Sequence, residues 1–546
     1  MLRLTILCFL VISFPQVFSE IYSSIQSVQD AWGLEREVLK DADEVLKDFN
    51  TSTISYPYDI HSLDEFKSFL AKTNELHQKY DDEDALAVYL QHPIHIYHFI
   101  KRCVVDWRFH TQHFYYLGED MIEYAGMLVD LFDEYLLWPS RTDLTAASLG
   151  FLRLDKFYQL SFQEIANGSI QGIPSEPLTV EDMYDIAMIG VENWRPWSAV
   201  KWLEEAATRL WMGEVGGPGA TSYAKVALKL AEVYDKFGDH HLAAFTAETV
   251  ARMEPQSEYF QDLLGYYKEK NATYPSREIV PHKQFHLDQD QYESLCRGEV
   301  PEKPANVIRH LRCFTKPSAI PYHLAKIEVL HVNPNIYIFH DVVYEGEQNE
   351  IRKLARKNLE RSTITHLEGY PNTGEFRISR TSWLYGLDPD AGDVLPRVYK
   401  RAQQLSGLKI ELVDGLPGFS GMQVLNYGIG GMYGPHVDII GTYKDDEYDV
   451  NNLSPLGDRI ATWLLYLSDV EYGGATVFPH LGVRVPNLKG SAALWYNLNR
   501  DGTPDRLTLH AGCPVAIGSK WIANLWFAYN QQVFSKPCLP DNKQGL

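Results

Sequence analysis

Apolar residues recur at alternating three- and four-residue intervals between Ile21 and Phe49, and this spacing predicts a long helix. A single acidic residue, Glu35, interrupts the series. The pattern is typical of the seam of a coiled coil, and it also suits an amphipathic helix that packs on its own domain. The recurring apolar positions are Ile25, Val28, Trp32, Leu39, Ala42, Leu46 and Phe49. We predict a helical, coiled-coil dimerisation domain over residues 20–170.

A second helical region is predicted over residues 178–270, after a linker from Gln171 to Pro177 that contains glycine and two prolines. In this region a helix over Tyr223 to Tyr234 is followed by Gly238-Asp239 and later by Pro255. That spacing resembles a tetratricopeptide repeat, a helix pair that stacks with its neighbours to form a concave surface. We therefore predict a tetratricopeptide-like domain that binds peptide.

The aromatic residues of this second helical region allow two interpretations. Trp197 and Tyr234 can belong to its core, or they can line a groove for an extended, proline-rich peptide. Aromatic grooves of this kind bind polyproline II ligands. Both interpretations stay open at the level of the sequence.

Strand patterns replace helical ones in the C-terminal part of the chain. Residues 271–334 are rich in proline and are predicted to be an irregular linker region. From Asn335 onward, short β-rich runs are separated by Gly, Pro and Asp turns, and one helix near Glu347 to Leu359 precedes most of them. We predict an α+β multidomain chain in which residues 335–540 form an antiparallel jelly-roll domain.

The N-terminus has the composition of a secretory signal. Arg3 precedes an apolar core from Leu4 to Phe14, Pro15 ends that core, and Ser19 closes a tolerable cleavage site. The apolar run is too short to span a membrane, and no later stretch could span a bilayer. We predict a signal peptide at residues 1–19, and therefore an oxidising, lumenal compartment.

Cysteines and glycosylation motifs fit that compartment. Cys296 and Cys313 are close in the sequence, as are Cys513 and Cys538, while Cys103 is left over. Disulfides are expected in an oxidising lumen. The glycosylation candidates are the asparagines of four N-x-S/T sequons, namely Asn50, Asn167, Asn271 and Asn452.

The overall charge narrows the range of partners. A net charge of −22 argues against nucleic acid as a ligand, because a nucleic-acid surface needs clustered Lys and Arg. It gives no support for binding to anionic lipid. It is compatible with a neutral or basic peptide substrate.

His436-Val437-Asp438 is the first candidate for a metal site. It follows a glycine-rich segment, Tyr427 to Tyr433, at the predicted end of a strand. Residues i and i+2 of an extended chain point to the same side, so this imidazole and this carboxylate can reach one ion. A non-haem Fe(II) oxygenase uses two histidines and one carboxylate on one face of the metal and keeps the opposite positions open.

The H-x-D motif alone carries little weight, because the chain contains a second copy at His286-Leu287-Asp288. That copy lies in the proline-rich segment and has no glycine-flanked strand before it. We assign it to a solvated loop.

His480 and His510 are the candidates for the third ligand. His510 is followed ten positions later by Lys520, on what should be a neighbouring strand. When a 2-oxo acid chelates iron, its distal carboxylate is left in a mostly apolar barrel, and a buried carboxylate needs a cationic partner. Lys520 can supply that charge, so we prefer His510 and predict Fe(II) with 2-oxoglutarate.

At these residues the chain closely resembles the α subunits of collagen prolyl 4-hydroxylases. The resemblance covers roughly Asn335 to Cys538, while the earlier part matches in the order of its regions. It implies a double-stranded β-helix oxygenase in the endoplasmic reticulum lumen that hydroxylates X-Pro-Gly peptides with Fe(II), 2-oxoglutarate, O2 and ascorbate. The matching stretches are Tyr427 to Asp438, Arg459 to Pro479, Gly490 to Leu498 and His510 to Trp521.

The resemblance also implies a role for each site residue. His436, Asp438 and His510 would be the iron ligands, Lys520 would bind the distal carboxylate of 2-oxoglutarate, and Tyr433 would contact the same co-substrate.

Further implications concern the peptide, the disulfides and the partner. Arg459 and Trp526 would line the peptide cleft, and the two cysteine pairs, Cys296 with Cys313 and Cys513 with Cys538, match disulfides of the family. Members of the family work with protein disulfide isomerase as the β subunit of an α2β2 tetramer.

The sequence departs from the family in the second helical region. Pro196 and Trp197 stand where a pair of tyrosines is expected, and Asp235 stands where another tyrosine is usual, although Tyr234 is adjacent. Binding of proline-rich peptide is therefore less well supported than binding of iron.

Two alternatives belong to other functional classes. The chain could be a non-catalytic chaperone subunit that binds proline-rich peptide, or an oxygenase that acts on another residue, such as lysine. The presence of His436, Asp438, His510 and Lys520 together argues against the first alternative.

Overall fold

The structure is a computed structural model that describes residues 20–48, 57–113, 119–134, 137–215, 221–279, 287–363, 376–385, 392–410, 421–444, 447–449, 453 and 455–536. The predicted signal peptide, the sequons at Asn50 and Asn452, and Cys538 lie outside these residues. Asn167 and Asn271 are exposed, and their glycosylation stays a prediction.

The described part of the chain up to residue 308 is almost entirely helical. Its helices are α1 (Ile25–Asp48), α2 (Pro57–Lys79), α3 (Glu83–Tyr89), α4 (Pro93–Lys101), α5 (Trp107–His113), α6 (Glu119–Glu134), α7 (Arg141–Tyr158), α8 (Phe162–Ala166), α9 (Val180–Glu192), α10 (Pro196–Trp211), α11 (Tyr223–Phe237), α12 (His240–Met253), α13 (Glu258–Thr273), α14 (Leu287–Arg297) and α15 (Ala305–Ile308). Among the described helices, none is both long enough and apolar enough to cross a membrane.

The chain divides into two compact units. The described residues within 20–21, 30–79 and 99–144 form one unit, and those within 22–29, 80–98 and 145–536 form the other.

The apolar seam of α1 is covered by the chain itself, which contradicts its use as a coiled-coil interface. Trp32 and Leu39 are almost fully buried, and Trp32 packs against Phe99 and stacks on His77. The acidic interruption has a structural reason, because Glu35 is buried and accepts two hydrogen bonds from Arg102. The helix is therefore an amphipathic helix of its own domain, and dimerisation of this region stays a prediction.

The helices predicted for the second helical region are present in the expected order. A hairpin of β1 (Ser169–Ile170) and β2 (Ile173–Pro174) occupies the predicted linker. Gly238 ends α11 with a φ of +97°, a conformation that glycine adopts without a steric penalty, and the side chain of Asp239 then caps α12. The Gly238-Asp239 signal therefore marks a helix-to-helix turn.

Antiparallel strands dominate from residue 313 onward, with two helices, α16 (Glu345–Arg356) and α17 (Val394–Ser406), among them. The remaining strands are β3 (Cys313–Pro317), β4 (Leu324–Val332), β5 (Asn335–His340), β6 (Glu360–Arg361), β7 (Arg380–Tyr385), β8 (Gly421–Asn426), β9 (Tyr433–His436), β10 (Thr442–Lys444), β11 (Glu447–Asp449), β12 (Arg459–Tyr466), β13 (Tyr472–Gly473), β14 (Thr476–Phe478), β15 (Val483–Val485), β16 (Ala492–Tyr496), β17 (His510–Gly512), β18 (Val515–Ile517) and β19 (Trp521–Ala528).

Two of the sheets face each other across a core, as a jelly-roll requires. The larger sheet has the strand order β3-β4-β5-β16-β12-β19-β8-β7-β6, and the smaller has the order β15-β14-β17-β9. Leu464 of β12 packs in one core cluster with Phe478 of the smaller sheet. The next residue, Leu465, packs in another cluster with Ile351 of α16. Both faces of β12 are therefore buried, and the predicted fold class is confirmed.

The prediction of an irregular linker over residues 271–334 is wrong in its second half. β3 and β4 form one edge of the larger sheet, and β4 pairs with β5 along most of its length. The sheet thus begins at Cys313 and not at residue 335. The second H-x-D motif is also not a loop throughout, because Leu287 begins α14, while His286 lies outside the described residues.

The predicted pairing of Cys296 with Cys313 is also wrong, and with it the pairing of Cys513 with Cys538. Cys296 forms a disulfide with Cys513, with Cα atoms 5.5 Å apart, while Cys313 is free and exposed. The reason is that α14 packs against the turn after β17, whereas Cys313 begins an edge strand. Distance between Cα atoms decides which cysteines can pair, and separation in the sequence does not. The leftover Cys103 is free and buried.

Candidate active site

Two neighbouring strands of the smaller sheet bring the predicted histidines together. β9 and β17 are antiparallel, and His436 and His510 are directly opposite each other in their register. Gly434 is needed in β9, because a Cβ atom at that position would lie 2.4 Å from the ring of Phe376. Asp438 follows two residues after His436, and its carboxylate therefore lies beside the two imidazoles.

The three side chains offer one face of ligand atoms. The Nε2 atom of His436 lies 3.6 Å from Oδ1 of Asp438, and the Nε2 atom of His510 lies 3.7 Å from its Oδ2. Within the described ranges this is the one group of three such residues whose ligand atoms all lie within 4.8 Å of one another. His480, the rejected candidate, is exposed and bonds the carbonyl of Arg506 instead.

Hydrogen bonds fix the orientation of both imidazoles. Nδ1 of His436 donates to the carbonyl of Gly434 at 2.8 Å, and Nδ1 of His510 donates to the carbonyl of Thr508 at 3.0 Å. Each ring therefore keeps its proton on Nδ1 and presents the lone pair of Nε2 to the site. Burial and the neighbouring His510 lower the pKa of His436, which keeps that ring neutral.

Asp438 is held as an anion by its neighbours. Burial alone would raise its pKa, but electrostatic interactions with His510, His436 and Arg459 and a hydrogen bond from Thr462 lower it below the ordinary value. Oδ2 accepts that bond from Thr462 at 2.8 Å and another from the indole of Trp526 at 3.2 Å. The amide of Asn497 in turn donates to the hydroxyl of Thr462 at 2.9 Å.

Replacing Thr462 with valine should weaken metal binding by about 10- to 100-fold, the usual effect of removing a partner that orients a ligand. The shape of the side chain is kept, while the hydroxyl is lost together with the hydrogen bond that it donates to Asp438 and the one that it accepts from Asn497. Titration of the apoprotein with Mn(II) measures the affinity directly. Thr381→Val is the matched control, because Thr381 is buried and its hydroxyl bonds Ser362 elsewhere in the larger sheet. Equal affinity in the Thr462→Val and control proteins would contradict the prediction.

Lys520 is a buried cation at the start of β19. Its side chain is 1% exposed, and burial alone lowers its pKa to about 7, with no carboxylate among the described residues contributing. Nζ lies 5.0 Å from the centroid of the Tyr427 ring. A Cβ atom on Gly512 would lie 3.7 Å from Nζ and 3.6 Å from the amide nitrogen of Tyr433. Lys520, Gly512 and Tyr433 therefore surround one small space.

The residues present fit a divalent metal ion together with an anionic ligand. Two imidazoles and one carboxylate form the donor set of a non-haem Fe(II) site, with no fourth protein ligand among the described residues. The buried ammonium of Lys520 has a burial cost that a carboxylate would offset.

Aromatic and basic residues lie beside this site. The guanidinium carbon of Arg459 lies 3.7 Å from the centroid of the Trp526 ring, and Trp383 lies 6.1 Å from the same ring. Asn524 and Trp526 are alternate residues of β19, and the amide of Asn524 donates to the side chain of Gln423 on the adjacent strand β8.

Arg377 is a site residue that the sequence did not indicate. It is 8% exposed, and its guanidinium carbon lies 4.5 Å from the centroid of the Tyr433 ring. Tyr433 itself stacks on His436, with ring centroids 3.6 Å apart. No local motif surrounds Arg377, and an isolated β-bridge to Tyr433 brings it to the site.

The structure places the two candidates for the peptide groove in different surroundings. Tyr234 is buried, and its hydroxyl donates to Glu204 at 2.6 Å, so it belongs to the core. Trp197 is half-buried and packs edge-on against Phe162. Neither residue lines the cavity of about 440 Å³ among α8, α10, α11 and α12. At the substituted position, Asp235 is hydrogen-bonded to His240 and forms an ion pair with Lys270.

Comparisons with known proteins agree with these features. A family model described as the N-terminal region of the prolyl 4-hydroxylase alpha subunit matches residues 24–172, and a model of the 2OG-Fe(II) oxygenase superfamily matches residues 422–528. The chain is 31% identical over 472 residues to prolyl 4-hydroxylase subunit alpha-1 of Bos taurus, covering 82% of this chain and 85% of that protein. The chain belongs to the prolyl 4-hydroxylase α-subunit family.

This membership confirms the predicted enzyme class and cofactors. The protein is a 2-oxoglutarate-dependent dioxygenase that uses Fe(II) and hydroxylates proline at C4. It is also 29% identical to subunit alpha-2 of Gallus gallus, over 95% of both chains. A solved viral collagen prolyl hydroxylase from Paramecium Bursaria Chlorella virus-1, in complex with 2-oxoglutarate, is 25% identical, covers 35% of this chain and 94% of the viral chain, and has a TM-score of 0.27.

Proposed function

We propose that the chain is the catalytic α subunit that hydroxylates proline in X-Pro-Gly peptides of collagen type. In this proposal His436, Asp438 and His510 hold Fe(II), and Lys520 and Tyr433 bind 2-oxoglutarate. When bound, the iron and oxo-acid would supply, with O2 as the oxidant, the insertion of one oxygen atom into a C–H bond, while the other oxygen atom enters succinate as 2-oxoglutarate loses CO2.

One observation carries the proposal, namely the grouping of two histidines and one carboxylate, whose ligand atoms all lie within 4.8 Å of one another, in the same site as a buried lysine. The pKa of His436 is lowered, so the imidazole is a neutral ligand, and the pKa of Asp438 is lowered, so the carboxylate is an anion. A metal ion requires both states. Lys520, buried beside Gly512, adds the positive charge that the second carboxylate of 2-oxoglutarate needs.

The chain's own residues then orient the reactants and limit access of water. Tyr433 covers one face of His436, and Trp526 donates to Asp438 while its ring faces Arg459. We propose that Arg459 and Trp526 line the cleft in which the substrate proline lies.

Arg459→Ala should raise the KM for a proline-rich peptide by about 10- to 30-fold, as loss of an arginine hot spot of about 2 kcal/mol implies. The KM for 2-oxoglutarate should stay within about twofold, because Lys520 is unchanged. Initial rates at varied peptide and at varied 2-oxoglutarate separate the two effects. Arg356→Ala removes an exposed arginine that pairs with Glu83 and serves as the control. An unchanged peptide KM in Arg459→Ala would remove this residue from the cleft.

The cellular setting is part of the same proposal. The family relationship supports a protein disulfide isomerase β subunit as partner, assembly as an α2β2 tetramer, residence in the endoplasmic reticulum lumen and use of ascorbate to restore oxidised iron. Coexpression with protein disulfide isomerase, followed by size measurement of the complex, tests the partner.

The decisive assay uses that complex and a (Pro-Pro-Gly) repeat peptide, with mass spectrometry of the product. Addition of one oxygen to proline supports the proposal. Addition to lysine in a lysine-containing peptide instead would favour an oxygenase for another residue, and no change in either peptide would favour a non-catalytic chaperone subunit.

A further inference from the structure

The turn that follows the His510 strand is held from outside by two helices. On α14, the hydroxyl of Tyr292 donates to the carbonyl of Gly512 at 2.8 Å, and Cys296 forms the disulfide with Cys513. On α7, the hydroxyl of Tyr158 donates to the carbonyl of Pro514. Three successive residues of the turn are thus attached to elements that precede the sheets in the sequence.

These two helices are attached to each other as well. Tyr292 is fully buried and lies edge-on to Phe157, with ring centroids 5.0 Å apart. Lys156 of α7 pairs with Glu293 at 3.2 Å, and Arg297 donates to the carbonyl of Phe157 at 3.1 Å. The helix α14 therefore offers a fixed support, and its residues lie outside the range 422–528 that matches the oxygenase superfamily.

The inner side of the same turn faces the space around Lys520. The missing side chain of Gly512 leaves room there, since a Cβ atom would stand 3.7 Å from Nζ of Lys520 and 3.6 Å from the amide of Tyr433. His510 is two residues away on the same strand. A small shift of Gly512 would therefore change the width of the space between Lys520 and Tyr433.

We propose that Tyr292 and the Cys296–Cys513 disulfide are positioning elements that hold Gly512 at the right distance from Lys520, so that 2-oxoglutarate binding depends on α14. This inference rests on the proposed role of Lys520. The hydroxyl of Tyr292 suits the task, because burial raises the pKa of Tyr292 and so keeps the proton that it donates.

The test uses the full chain in complex with its partner and measures 2-oxoglutarate binding without turnover. The charge-transfer absorption of the anaerobic Fe(II) complex is titrated with 2-oxoglutarate, and thermal unfolding is recorded beside it. Tyr292→Phe should raise the Kd about tenfold, because the carbonyl of Gly512 loses its buried donor. At saturating 2-oxoglutarate, kcat should stay within about twofold.

Two further variants probe the two sides of the turn. Gly512→Ala should raise the Kd for 2-oxoglutarate directly, because the methyl group enters the space beside Lys520 and the backbone of Gly512 tolerates alanine. The double variant Cys296→Ser with Cys513→Ser should raise the Kd for 2-oxoglutarate by about as much as Tyr292→Phe does. The controls are Tyr399→Phe, which removes a buried hydroxyl on the other side of the larger sheet, and Cys313→Ser, which changes a free cysteine.

The outcomes separate this inference from the function on which it rests. If Gly512→Ala weakens 2-oxoglutarate binding while Tyr292→Phe and the double serine variant bind as the wild type does, α14 does not position the turn, and the inference is wrong. If all three variant proteins have a lower unfolding temperature but an unchanged Kd for 2-oxoglutarate, the attachment of the turn to α14 contributes only to stability, and the inference is again wrong. If Lys520→Ala binds 2-oxoglutarate normally, the proposed co-substrate site itself is wrong.

Discussion

Replacing Asp438 with alanine is expected to reduce peptide-dependent turnover of 2-oxoglutarate by about 100- to 4,000-fold. Removal of one partner from a buried charged cluster costs about 3–5 kcal/mol, and a factor of ten corresponds to about 1.4 kcal/mol. The variant keeps both imidazoles and leaves the donors of Thr462 and Trp526 without their acceptor. Succinate formation and the metal content of the purified complex are the two measurements.

Two further variants serve as controls. The first separates the effect of the negative charge of Asp438 on turnover from the effect of its shape, and the second changes an aspartate outside the site. Asp438→Asn keeps the shape and can still accept a hydrogen bond from Thr462, but it lacks the negative charge, so we expect nearly the same loss with little change in unfolding temperature. Asp288→Ala alters the acidic residue of the second H-x-D motif and should leave turnover unchanged. Wild-type turnover by Asp438→Ala would contradict the assignment of the metal site.

The centre of the site could be predicted from the sequence because its requirements are local or chemical. The spacing of His436 and Asp438 follows from the geometry of an extended chain. His510 could be selected because the co-substrate needs a buried cation, which Lys520 supplies ten residues later. The structure adds the register that sets the two histidines opposite each other.

The surroundings of the site could not be predicted, since they depend on contacts between distant segments. Arg377 is brought to Tyr433 by an isolated β-bridge between the two residues. Asn497 is linked to Asp438 indirectly, because it donates to the hydroxyl of Thr462, which in turn donates to Asp438. The disulfide between Cys296 and Cys513 follows from the packing of α14, which has no signal in the spacing of the cysteines.

Patterns of apolar residues also left two structural questions open. The seam of α1 has the period of a coiled coil, but period alone does not say whether the covering surface belongs to the same chain. Glu35 was the informative exception, because a buried carboxylate in a seam needs partners, and Arg102 and His77 of the same chain supply them. Tyr234 was likewise ambiguous until its bond to Glu204 placed it in the core.

Replacing Lys520 with alanine is the second change with a large expected effect. It should raise the KM for 2-oxoglutarate by about 100- to 1,000-fold, because a buried charge partner is worth about 3–4 kcal/mol. Iron binding should persist, because His436, Asp438 and His510 are unchanged. The charge-transfer titration measures co-substrate affinity, and a Mn(II) titration measures metal affinity.

The pH dependence of 2-oxoglutarate binding gives the sharper test of Lys520. The carboxylate binds the protonated amine, and burial lowers the pKa of free Lys520 to about 7. Affinity should therefore be flat below pH 7 and should fall by up to about tenfold per pH unit above it, until the pKa of the complex is reached. The lowered pKa values of His436 and Asp438 keep those groups from titrating in this range.

Lys520→Arg keeps its charge at every accessible pH and should remove this fall in affinity above pH 7, even if its longer side chain weakens binding. A wild-type affinity that is constant from pH 7 to 9, or an equal slope in Lys520→Arg, would show that another group holds the distal carboxylate.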